Sequence, residues 1–140
     1  MRTTIKEQWL RGVLVAIVLF HTIATLWHAT THAQVPVPLT AAQIALVVVG
    51  LLLLPLLGVG LLWTTRKREA AWLITVPMLV SFLFGFISHF VIAGSSDYVL
   101  AVPAGAWQYS FVLSAAVPLV ADTLGVAIGV MAVLAWRRPA

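Results

Sequence analysis

The chain contains no cysteine. Disulfides, CxxC redox chemistry, thiolate metal sites and covalent haem attachment through CxxCH are therefore excluded. Charge is nearly as scarce. Only 9% of the 140 residues are Asp, Glu, Lys or Arg, against roughly 25% in a soluble domain. A surface so poor in charge cannot face water on all sides. The scarcity is also directional. No Lys or Arg occurs between Arg11 and Arg66, or between Arg68 and Arg137. The chain shows no P-loop, Rossmann fingerprint, HExxH or hydrolase motif.

Apolar residues fill the space that charge leaves: 62% of the chain is hydrophobic. A bilayer span needs about 20 mainly apolar residues. Four such stretches can be read, at approximately 9–31, 41–64, 70–93 and 107–136. The expectation is an all-α, up-down bundle of four transmembrane helices, forming one domain over residues 1–140. Arg2 and Lys6 before an apolar run, with Thr31-His32-Ala33 after it, resemble a signal peptide. We read the segment instead as a retained first helix.

The eight cations are Arg2, Lys6, Arg11, Arg66, Lys67, Arg68, Arg137 and Arg138. All fall at one end of the four spans. Lys and Arg accumulate on the cytoplasmic side, so both termini and the charged turn Arg66-Lys67-Arg68-Glu69 are expected there. Trp9, Trp63, Trp72 and Trp136 mark the same interface, and Trp27 and Trp107 the other. The formal charge of +4 is explained by these juxtamembrane clusters, not by a nucleic-acid partner. The expected localisation is integral to a prokaryotic cytoplasmic membrane.

Val35-Pro36-Val37-Pro38 breaks the chain between the first two spans, and Gly94-Ser95-Ser96-Asp97 opens the third connection. Pro55, Pro77 and Pro118 lie inside spans, where each removes a backbone hydrogen bond. Ala121, Gly125 and Gly129 repeat at four-residue spacing in the last span. Small residues at that spacing let helices approach closely. The contact is expected within the bundle, with a homo-oligomer or a larger membrane complex as the alternative.

The concentrated chemistry is histidine. At about 100° per residue, His21, His28 and His32 fall within about 20° of one direction on the first helix. Ionisable groups at membrane depth face the protein interior or a wet cavity. The midpoints of the first and third spans are His21 and Phe82, so His28 and His89 each lie seven residues outward. The two should meet at matching depth, roughly 10 Å from the centre.

Imidazole ligates haem iron and transition metals. If the first and third helices are diagonal, their axes stand roughly 12–14 Å apart, a span that suits a haem b held between His28 and His89, with His21 below. Such a chain resembles dihaem membrane proteins of the cytochrome b type in span number but lacks their second histidine pair. The metal alternative (Cu, Zn or Fe) takes His28, His32 and His89, with Asp97 as a further ligand or as the carboxylate that orients a histidine. Asp122 is the one carboxylate deep in a span. It matches His21 in depth and is expected to pair with it, for proton handling or as interhelical glue.

Three functions follow: a protein holding haem or a transition metal for redox or metal handling; a non-catalytic accessory subunit with no cofactor; and a small proton-coupled carrier using Asp122 and His21.

Overall fold

The computed structural model describes residues 4–35 and 37–136. Arg2, Pro36, Arg137 and Arg138 therefore lie outside the described residues. The described chain is helical, with no strand. Helix α1 is Ile5–His32, α2 Ala41–Leu61, α3 Lys67–Val91 and α4 Gln108–Ala135, and each is long and apolar enough to cross a membrane.

The helix starts have local causes. The Thr4 side chain accepts from the Glu7 N–H at 3.3 Å, which caps α1 four residues before the expected apolar boundary. Thr40 and Gln43 form a reciprocal capping box at α2. The expected charged turn before α3 is instead its beginning. Lys67 and Arg68 are already helical, with Glu69 in the first turn, where the helix dipole favours an anion. Lys67 Nζ also donates to Glu7 Oε1 at 2.7 Å, which ties the start of α3 to the start of α1.

Two helices are not regular α throughout. Leu46–Leu53 of α2 and Ile87–Val91 of α3 are π-helical. The π segment of α2 runs up to Pro55, which has no N–H to offer the Leu51 carbonyl four residues back. The π turn of α3 contains His89, and π segments are frequent at functional sites.

Helix α4 packs along both α1 and α3, and α2 packs chiefly on α3. One core joins Leu10, Leu14, Val18, Ile74, Met78 and Ala132. The small-residue stripe serves this packing. A Cβ placed on Gly125 would collide with the Met78 sulfur, and one on Gly129 with the Thr75 hydroxyl. Ala121, Gly125 and Gly129 are all buried, so the stripe is taken up by the same chain. Gly58 on α2 makes a similar approach, its added Cβ standing 2.7 Å from Ile74. The outer faces expose large apolar side chains such as Phe20, Ile23, Leu57, Val76 and Val120, as a lipid-facing surface would.

Candidate metal centre

Three imidazoles meet where α1 and α3 end and α4 begins. His28 and His32 come from successive turns of α1, and His89 from the π turn of α3. The Nε2 atom of His28 lies 3.1 Å from Nε2 of His89 and 3.0 Å from Nε2 of His32. One ligand atom from each of the three fits within 4.8 Å of the others. Phe111 of α4, fully buried, packs its ring against all three at centroid distances of 5.0–5.7 Å. A second apolar cluster of Val37, Val99, Val102, Phe111 and Ala115 closes this end.

The far side of each ring is tethered. His89 Nδ1 donates to the Asp97 carbonyl at 2.7 Å. His32 Nδ1 donates to the Val37 carbonyl at 3.3 Å. A carbonyl can only accept, so both rings carry their proton on Nδ1 and a lone pair on Nε2. His28 Nδ1 lies 3.0 Å from Ser114 Oγ. The Ser114 hydroxyl also lies 3.0 Å from the Phe111 carbonyl, so it either receives the His28 Nδ1 proton or gives its own to Nδ1. Thr31 braces the same corner, donating to the His28 carbonyl at 2.7 Å and standing 3.0 Å from Ser114.

The result is three Nε2 atoms turned on one another beside the Phe111 ring. Where Ser114 takes the His28 Nδ1 proton, the neutral rings have no proton to place between them. Tetrahedral metal–nitrogen bonds of 2.0–2.1 Å put ligand nitrogens about 3.3 Å apart, close to the two spacings found. Metal-binding histidines also characteristically donate their second N–H to a carbonyl or another acceptor.

The expectation of a haem between His28 and His89 is not met. Bis-imidazole haem holds its rings on opposite faces of the macrocycle, and nitrogens 3.1 Å apart leave no room for one. His89 crosses the diagonal from a π turn, so the axial separation assumed for regular helices overstates the gap. Asp97 also differs in detail. Its backbone, not its carboxylate, orients His89, while its buried Oδ1 has no hydrogen-bond partner.

His21 is not part of the cluster. It lies deeper, fully buried, with Nδ1 2.8 Å from Asp122 Oδ1. Its Nε2 donates to the Leu51 carbonyl at 3.1 Å, the group that Pro55 leaves without an α-helical donor. The structure brings His21 and Asp122 into contact, without an aligned hydrogen bond between them, and His21 is anchored to α2 as well. A cavity of about 70 Å³ runs between the two sites, lined among others by His28, His32, His89, Asp97, Thr25 and Asp122. Gln108 and Tyr109, at the start of α4, contribute little to the cluster. Gln108 bonds the Val102 carbonyl, and Tyr109 is exposed.

Sequence reasoning missed Ser114, Thr31 and Phe111 as parts of the centre. Phe111 and Ser114 lie one turn apart on α4, and helical spacing gives them one face; nothing local marks that face as the one opposite His28. The chain matches no family model, and no curated protein or solved structure is significantly similar to it.

Proposed function

We propose that this is an integral membrane protein that binds one divalent transition-metal ion through Nε2 of His28, His32 and His89. The observation that carries the reading is the set of three Nε2 atoms facing one another while carbonyls hold the Nδ1 of His32 and His89. An all-imidazole set suits Zn, Cu, Ni or Fe, and a bound cation supplies a Lewis-acid centre with exchangeable coordination. Three protein ligands leave the fourth position open. That position faces a cavity bordered by Asp97, whose Oδ1 is available as a further donor.

The bundle is read as up-down, with both termini cytoplasmic and the metal near the outer face. The one-sided Lys and Arg distribution supports that orientation. The setting is a prokaryotic cytoplasmic membrane, and the function is metal holding or transfer at its outer side. Haem b is not part of this proposal.

The test is metal analysis and calorimetric titration of the purified protein in detergent micelles. The expected result is one Zn²⁺ per chain, and a tetrahedral visible spectrum on cobalt substitution. Binding that is absent, or unchanged in a His89→Ala variant, overturns the proposal and leaves the accessory-subunit reading.

A further inference from the structure

The cavity below the histidines has a second end. There His21 and Asp122 face each other across α1 and α4, both with no exposed surface. The His21 Nε2–H is committed to the Leu51 carbonyl. The 2.8 Å contact from Nδ1 to Asp122 Oδ1 is not aligned as a hydrogen bond, yet it is close enough for the two groups to share one further proton. It is neutral imidazole with carboxylic acid, or imidazolium with carboxylate; the pair holds the same single proton and the same zero net charge in both. Neither oxygen of Asp122 nor Nδ1 of His21 makes a hydrogen bond, and Asp122 lines the same cavity as the three histidine ligands.

We infer that the His21–Asp122 pair is a proton-binding site coupled to the metal site, releasing one proton through the cavity when a divalent cation binds the histidines. The inference rests on the metal site proposed above. The exchange balances simply: M²⁺ enters, H⁺ leaves, and Asp122 remains as a carboxylate beside neutral His21. The buried region gains one positive charge instead of two. Carrying charge into a low-dielectric interior is costly, so exchange is favoured over uncompensated entry.

The magnitude is sufficient. His21 and His28 are separated by seven residues of α1, roughly 10 Å along the axis. At an effective dielectric constant near 20, a divalent charge at that range disfavours a further positive charge on the order of a hundredfold.

Other titratable groups do not obscure the assignment. Helix α2 has none in Ala41–Leu61. Helix α4 has only Tyr109 and Asp122. Helix α3 has His89 at one end and Lys67, Arg68 and Glu69 in its first turn. Helix α1 has, besides His21, His28 and His32 on the metal side and Lys6, Glu7 and Arg11 near its start. Asp97, in the loop before α4, borders the cavity from the metal side.

Calorimetric titration with Zn²⁺ in buffers of different ionisation enthalpy counts the protons released per metal. At about pH 7.5, where unperturbed histidines are mostly neutral, the wild type should release about one proton more than Asp122→Asn, and about one more than His21→Gln. Both variants should still bind one Zn²⁺. An equal proton count in wild type and variants overturns the inference and leaves the metal site standing. No Zn²⁺ binding by the wild type removes both. Should neither variant fold, the wild type alone can still overturn the coupling. Its Zn²⁺ affinity should rise about tenfold per pH unit between about pH 7 and 8 for one released proton, and a flat profile overturns the coupling.

Discussion

His28 and His89 are 61 residues apart in the chain, and their Nε2 atoms are 3.1 Å apart in space. Neither nitrogen has a proton to offer the other once Ser114 and the Asp97 carbonyl have taken the Nδ1 hydrogens. Two lone pairs at that distance repel. Helices α1 and α3 nevertheless converge on this point, and Phe111 packs tightly behind it. A cation is the simplest partner that turns the repulsion into attraction.

The three ligands should not be equivalent. His89 is buried and held by a short bond to a carbonyl, whereas His32 is half-buried on a longer 3.3 Å tether. His89→Ala is expected to weaken Zn²⁺ binding by more than the 10–100-fold typical of losing an outer-sphere partner. His32→Ala should retain measurable binding through His28 and His89. Competitive titration against a zinc chelator measures both. Equal loss in the two variants would contradict the ranking.

Ser114 makes no contact with the metal position in this scheme, yet it fixes the tautomer of His28. Ser114→Ala is expected to weaken metal binding about 10–100-fold while leaving the bundle folded. Asp97→Asn is a useful contrast. The group orienting His89 is the backbone carbonyl, which the substitution preserves, so any effect reports on the carboxylate as a ligand. A Ser114→Ala variant with wild-type affinity would remove the tethering argument.

Much of this was legible from spacing. Counting residues from the span midpoints brought His28 level with His89 and His21 level with Asp122, because a helix rises by a constant step. Depth is a one-dimensional quantity, and the charge pattern supplied its origin. The gap across the bundle was not legible in the same way. It depends on the π turn that carries His89 and on the tethers from Ser114, Val37 and Asp97, all set by packing between distant segments. Regular helices at standard spacing suggested a haem-sized gap; the actual side chains close it. The start of α3 was misplaced for a related reason. Lys67 and Arg68 look like a solvated turn until the ion pair with Glu7, from another helix, is known.

The glycines of α4 allow a packing prediction that is independent of any ligand. Gly125 and Gly129 lie where a Cβ would meet Met78 and Thr75, whereas nothing lies within 4 Å of a Cβ on Gly60. Gly125→Leu or Gly129→Leu should destabilise the bundle by about 1–3 kcal/mol or more, as overpacking does. Gly60→Ala should be neutral or slightly stabilising, since alanine is the better helix former. Thermal unfolding in one detergent compares the three. Gly125→Leu with an unchanged midpoint would contradict the close α3–α4 contact.

Orientation is tested most directly by chemistry at the two ends. The chain has no native cysteine, so a single introduced thiol reports without background. Lys67→Cys lies at the cationic end, beside Glu7 and Trp136. Ser96→Cys lies in the loop that carries Asp97 and folds back on His89. The positive-inside pattern places the first in the cytoplasm and the second outside. A membrane-impermeant maleimide added to intact cells should label position 96 and spare position 67 until the membrane is opened. Labelling of position 67 from outside would invert the topology and put the histidine centre on the cytoplasmic face, where the metal would be drawn from a different pool.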